Sequence, residues 1–305
     1  MTFTAQVKTE LCKSSLTSPC CLLAESYGLL LFAQQFSPRR IRLVTEHKGL
    51  IRRAPLLFEK ALGLAPEQAV FQEKVAFFWE DPAAIQQIFT RFGYDYKQYV
   101  SYPIHRNLME SDCCKAAFLR GVFLSSGTVA PPEKKAHFEL TTPHQGLCRQ
   151  LMALLLDLGF YPKLITRKGN GVVYFKDSNA ITDLLTLIGA THGALALMEA
   201  KVEKELRNTV NRQVNCETAN YSRTLDVAAH QIETIQRALT LASWQAFPDA
   251  MHDTIRLRLT HERMSLAELA QHSDPPMSKP GLSHRLKKIM TIAEQIIAQH
   301  TQEDN

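Results

Sequence analysis

Six residues near the C-terminus, Lys279, Ser283, His284, Arg285, Lys287 and Lys288, combine charge and hydrogen-bonding groups in a spacing suited to a nucleic acid. Lysine ammoniums neutralise phosphates, an arginine guanidinium matches guanine bidentately, and serine and histidine reach phosphates or base edges. Leu282, Leu286, Ile289 and Ala293 recur between them at helical spacing, which predicts one helix with a dry side. Ser283, His284, Lys287, Lys288 and Thr291 then fall on the opposite side, with Arg285 at the border. A helix of this kind fits the major groove of B-DNA, so double-stranded DNA is the first partner to consider. The bland alternative is an amphipathic helix whose charges are only solvated.

The residues before that helix predict a second one, set to support it. Ser265 and Glu268 form a capping box ahead of Leu266, Leu269 and Ala270. Asp274-Pro275-Pro276 ends that short helix, because proline supplies no N–H and restricts the residue before it. Ser278 is the expected N-cap of the next helix, and Pro280 fits its first turn. Helix, turn and helix together read as a helix-turn-helix. Upstream, helices are expected over 228–243 and 248–259, the second carrying Arg256 and Arg258 as solvated charges or phosphate contacts.

Composition narrows the function classes. With 305 residues and 45% hydrophobic content, the chain is long enough for two or more domains with real cores. A net charge of +5 suits a nucleic-acid binder without requiring one. No apolar run reaches membrane-spanning length, and MTFTAQVKTELCK lacks the apolar segment of an export signal, so a cytoplasmic, nucleoid-associated protein is expected. Seven cysteines include the adjacent pairs Cys20-Cys21 and Cys113-Cys114 but no C-x-x-C, and are read as reduced thiols rather than a disulfide frame or zinc site. No metal ligand set, cofactor or catalytic residue is expected. The glycine patterns of dinucleotide and phosphate loops and the serine elbow are missing too.

The first two hundred residues repeat themselves with a period near one hundred. His47-Lys48-Gly49-Leu50 recurs as His144-Gln145-Gly146-Leu147, each after a strand-like run (40–45 and 136–141) and each opening an amphipathic helix, where the histidines should cap or pack. Strand regions follow at 69–79 and 161–175, the latter turning at Lys168-Gly169-Asn170-Gly171. Each copy closes with a helix opened by an aspartate (81–93 and 177–189) and is preceded by an apolar helix (20–36 and 113–127) with Gly28 or Gly121 inside it. Two such halves should pair through the glycine-bearing faces of those helices.

Phe118-Leu119-Arg120-Gly121-Val122-Phe123-Leu124-Ser125-Ser126-Gly127 resembles the LAGLIDADG helix of homing endonucleases. In those enzymes an acidic residue just before the terminal glycine of each motif holds a divalent ion, for which hard oxygen ligands are needed. Here Ser126 and Ala33 stand at those places; Glu25, two turns away, is expected to be a helix-N-terminal charge. The chain therefore resembles a nuclease scaffold without its catalytic acids. With NTVNRQVNCETANYSRTLDVAA (208–229) and Lys279-Pro280-Gly281-Leu282-Ser283-His284-Arg285-Leu286, it resembles the WhiA family over nearly its whole length. The most specific points are Asn211-Arg212, Asn215-Cys216, Ala219-Asn220, Ala228-Ala229 and Gln231-Ile232. Three positions depart from the family pattern: Gln34 replaces the terminal glycine of the first motif, Pro280 a small serine, and Ser283 an asparagine.

That resemblance implies an α+β fold, a duplicated LAGLIDADG-like αββαββα pseudo-dimer followed by an all-α helix-turn-helix domain similar to that of sigma factors. The expected divisions are 1–105 and 106–207 for the repeats, 208–225 for a linker and 226–300 for the DNA-binding domain. It implies a regulator of sporulation, cell division or chromosome segregation that binds promoter DNA, with another transcription regulator or RNA polymerase as a further partner and no membrane. Two rival readings are a protein-interaction scaffold and a residual metal-dependent endonuclease using Glu25 or Asp112.

Overall fold

In the computed structural model, which describes residues 1–96 and 102–303, the chain divides into two compact units, 1–204 and 205–305. Residues 97–101, inside the expected first repeat, lie outside the described residues. The first unit is the duplicated αββαββα architecture expected from the repeat. In the first copy the elements are α2 (Pro19–Leu31), β1 (Gln35–Ser37), β2 (Arg40–Thr45), α3 (Lys48–Leu62), β3 (Glu67–Phe71), β4 (Lys74–Trp79) and α4 (Pro82–Arg91). The second copy runs α5 (Asp112–Ser126), β5 (Gly127–Val129), β6 (Phe138–Thr142), α6 (Gln145–Asp157), β7 (Lys163–Arg167), β8 (Asn170–Phe175) and α7 (Ser178–Ile188). Both sheets are antiparallel with the same strand order, β1-β2-β4-β3 and β5-β6-β8-β7. Alternation puts Ile41, Leu43, Phe77 and Trp79 of one sheet, and Phe138, Leu140, Val173 and Phe175 of the other, into a single shared core. Lys168 and Gly169, with φ of 53° and 81°, form the β7–β8 turn; positive φ at both central residues gives the twist a two-residue hairpin requires.

Three details differ from the sequence expectation. A helix α1 (Phe3–Leu11) precedes the first copy, capped by the Thr2 side chain and buried through Val7 and Leu11. Helix α2 ends at Leu31 rather than Phe36, because Phe36 joins β1 and stacks on Phe89 at 4.8 Å between centroids. Residues 208–225, expected to be a linker, are helical throughout, within α8 (Thr191–Leu241).

The two copies meet along α2 and α5. A Cβ placed on Gly28 would lie 2.2 Å from the Phe118 carbonyl oxygen, and one on Gly121 would lie 2.2 Å from that of Glu25. The contacts are related by a pseudo-twofold: each glycine faces the residues three before and one after the other glycine. Gln34, in place of a terminal glycine, leaves this pairing intact by turning its side chain to the backbone of Val44.

The second unit comprises the C-terminal part of α8 with α9 (Asp249–Thr260), α10 (Leu266–Gln271) and α11 (Lys279–Glu303). Its core is Ile235, Ala238, Phe247, Ile255, Leu269, Leu282, Leu286, Ile289 and Ala293. Among the described residues no helix is long and apolar enough to cross a membrane.

Backbone carbonyls cannot yield as a flexible side chain does, so Gly121→Ala should separate α2 from α5 and cost about 1–3 kcal/mol. Urea unfolding checks this. A midpoint equal to that of the unsubstituted chain would show the close approach to be unnecessary.

Candidate nucleic-acid interface

The capping box forms as expected: Ser265 N donates to Glu268 Oε2 at 2.8 Å and Glu268 N to Ser265 Oγ at 3.3 Å. Ser273 fixes the turn after α10, donating to the Ala270 carbonyl at 2.8 Å and accepting from Met277 N at 3.0 Å. Ser278 then accepts from Gly281 N at 3.2 Å, starting α11 with Pro280 in its first turn. Leu282, Leu286, Ile289 and Ala293 are buried. That fixes the rotation of α11, and Lys279, His284, Lys287 and Lys288 are exposed as a consequence. Ser283 and Arg285 are half-buried, and Arg285 Nη1 donates to Thr254 Oγ1 of α9 at 3.5 Å. The structure thus gathers all six predicted residues on one short stretch of helix, four free in solvent and two at its margin.

Arg258 is neither a solvated charge nor available to phosphate. It is 1% exposed, with Nε donating to Gln231 Oε1 at 3.0 Å and Nη1 to the Met264 carbonyl at 2.9 Å. Burial lowers its pKa, and the guanidinium serves to hold the loop after α9 against α8. Arg256 remains exposed, over the Trp244 ring at 5.4 Å.

In the duplicated unit, Ser126 and Ala33 stand at the C-terminal ends of the central helices. Ser126 Oγ donates to the Val122 carbonyl at 2.9 Å, and Ala33 is buried. Lys8 donates to the Leu124 carbonyl at 3.1 Å, placing a cation against the last turn of α5, where the helix dipole favours positive charge. Burial lowers the Lys8 pKa to about 8. Glu25 is not a helix-terminal surface charge as expected but is 1% exposed. It receives Arg53 Nε at 2.7 Å, Arg53 Nη2 at 2.9 Å and Arg120 Nε at 3.1 Å, so both oxygens are committed. Asp112, at the opposite end of α5, pairs with Lys115 at 2.8 Å. His47 caps α3, its Nδ1 accepting from Leu50 N at 3.2 Å; the proton therefore sits on Nε2, which donates to the Ala5 carbonyl at 3.0 Å. His144 occupies the equivalent N-cap of α6 without a side-chain bond. Lys8, Arg53 and Arg120 gave no signal in the sequence, because their partners lie far away along the chain.

Comparison with known proteins finds two family matches along the chain. Residues 115–207 match the WhiA LAGLIDADG-like domain and residues 210–293 the WhiA C-terminal HTH domain. A probable cell division protein WhiA of Ruminiclostridium cellulolyticum is 34% identical over 97% of this chain and 98% of its own length. The chain belongs to the WhiA family. Its counterpart from Alkaliphilus metalliredigens is 31% identical over 96% of this chain and 98% of its own. The crystal structure of full-length DUF199/WhiA from Thermotoga maritima covers 97% of this chain and 99% of that one, with a TM-score of 0.61 at 22% identity, and shares the fold. WhiA membership thus accounts for a LAGLIDADG-like scaffold and a helix-turn-helix in one chain.

Removing the carboxylate from the Glu25 network would leave two arginines facing each other out of water. Glu25→Ala should therefore cost about 3–5 kcal/mol of stability in urea unfolding. Arg120→Ala should cost less, since that side chain keeps 16% of its exposure. A Glu25→Ala loss under about 1 kcal/mol would show that the network is not part of what holds the halves together.

Proposed function

We propose that this chain is a sequence-specific DNA-binding transcription regulator with a catalytically inactive homing-endonuclease-like half. In this reading it resides in the cytoplasm with the nucleoid and acts on sporulation, cell division or chromosome segregation. The carrying observation is the orientation of α11: the burial of Leu282, Leu286 and Ile289 turns Lys279, His284, Lys287 and Lys288 outward together. In the major groove the lysines would neutralise phosphates, while His284, Ser283 and Arg285 would read base edges. Arg285 must leave or share its Thr254 contact to do so, which suits a residue recruited on binding. Relatives named probable cell division proteins support the cellular role. Promoter binding would bring the protein beside RNA polymerase or another regulator.

The strands and their turns also carry exposed cations, Lys74, Lys163 and Lys168 among them. Arg40, by contrast, pairs with Glu80 at 2.9 Å and Arg167 with Glu139 at 2.9 Å. With Glu25 held by two arginines, the scaffold supports a docking or weak DNA-binding role rather than cleavage.

Fluorescence anisotropy of a promoter fragment, titrated at several salt concentrations, tests the interface. Lys287→Ala and Lys288→Ala should each lower the magnitude of the log K against log salt slope by about 0.9. Arg285→Ala should instead narrow the preference for the specific site by about 1–3 kcal/mol. Unchanged affinity and slope in all three variants would refute the assignment. A supercoiled plasmid incubated with Mg²⁺ or Mn²⁺ should stay intact. Nicking that follows the protein through purification and disappears in Glu25→Gln would restore the nuclease reading.

A further inference from the structure

The two adjacent cysteine pairs, 93 residues apart in sequence, meet in the fold. Cys20 and Cys21 open α2, and Cys113 and Cys114 open α5. Each pair lies seven and eight residues before the glycine at the helix crossing, so the pseudo-twofold that relates Gly28 to Gly121 also brings the four thiols to one end. All four Sγ atoms lie within 4.8 Å of one another, and the sulfurs of each adjacent pair are 4.0 Å apart. Among the described residues, no other set of three or more histidine, cysteine or carboxylate ligand atoms is gathered this closely.

From these positions we infer that Cys20, Cys21, Cys113 and Cys114 form a four-thiolate site for a single thiophilic metal ion of the Zn²⁺ class, clamping the two repeats together at the N-terminal ends of α2 and α5. A Zn–S bond of about 2.3 Å sets the sulfurs of a tetrahedral site about 3.8 Å apart, so the thiols need to close by about an ångström or less. A cubane iron–sulfur cluster, with its larger cage, would require them to spread. Cys20 and Cys113 are exposed, giving the ion an entry path, whereas Cys114 is buried and Cys21 half-buried. The ligands must bind as thiolates, and two helix N-termini directed at the cluster offset their negative charge. Zinc sites are sought in sequence through spaced C-x-x-C pairs; here each half contributes vicinal cysteines and the duplication completes the set.

The full-length chain, reduced and freed of metal under anaerobic conditions, is titrated with Co²⁺ and then Zn²⁺. The expected result is the thiolate-to-cobalt charge-transfer and intense visible bands of tetrahedral Co²⁺, saturating at about one ion per chain and displaced by Zn²⁺. Cys20→Ser and Cys113→Ser, both at exposed positions, should weaken and shift those bands, whereas Cys12→Ser and Cys216→Ser should not. Zn²⁺ should also raise the Tm of the metal-free protein by several degrees, an effect lost in Cys20→Ser. Three outcomes would overturn the inference: no tetrathiolate spectrum in the unsubstituted chain, an unchanged spectrum in Cys20→Ser, or native protein carrying disulfides among these four cysteines and no metal.

Discussion

Helices α2 and α5 meet backbone to backbone, where glycine leaves room for the other helix's carbonyl. A Cβ at Gly28 or Gly121 would stand 2.2 Å from the Phe118 or Glu25 oxygen, so no side chain fits there. Close approach is useful because packed interiors gain their cohesion from many short contacts, and a gap forfeits them. Around the crossing, Tyr27, Phe32 and Phe118 fill the space on either side, with ring centroids 5.4 and 6.3 Å apart. Each copy's sheet can then cover its own side of the helix pair, and one continuous core results.

The same crossing dictates the electrostatics. Glu25 lies where its carbonyl meets Gly121, so its side chain is carried into the interior. A buried carboxylate is tolerated only when paired and hydrogen-bonded, and Arg53 from the first copy with Arg120 from the second provide both. The Glu25 carboxylate thereby joins the repeats, taking one arginine from each. Lys8 adds a further tie to the second copy, setting an ammonium against the Leu124 carbonyl at the C-terminal end of α5.

Elements with a local cause were legible in the sequence. The capping box at Ser265 and Glu268, the aspartate caps of α4 and α7, and the alternation in β2 each depend on residues within a few positions. The duplication made the topology readable, because two copies agreeing in register carry more information than one. What escaped had a distant cause. Helix α1 is held by contacts with the second copy, such as Thr4 with the backbone of Val129. Arg258 looks like any surface arginine until Gln231 and the Met264 carbonyl are brought to it. The polar stretch 208–225 reads as a linker by composition, yet it holds no glycine or proline to interrupt a helix already begun at Thr191.

In the helix-turn-helix unit, specificity of shape comes from what is buried rather than from what would touch DNA. Arg258 ties the carbonyls of His261 and Met264 to Gln231, so the loop leading into α10 cannot drift relative to α8. Ser273 bonds the end of α10 to Met277, and Leu269 with Ala270 pack in the same core as Leu282 and Leu286. The outward side of α11 therefore has a defined rotation and start point before any ligand arrives. Preorganisation of this kind reduces the ordering cost of association, leaving the long lysine side chains as the main freedom to be lost. Helix α11 can carry Pro280 and Ser283 without losing its rotation, because neither residue belongs to the buried cluster that aims it.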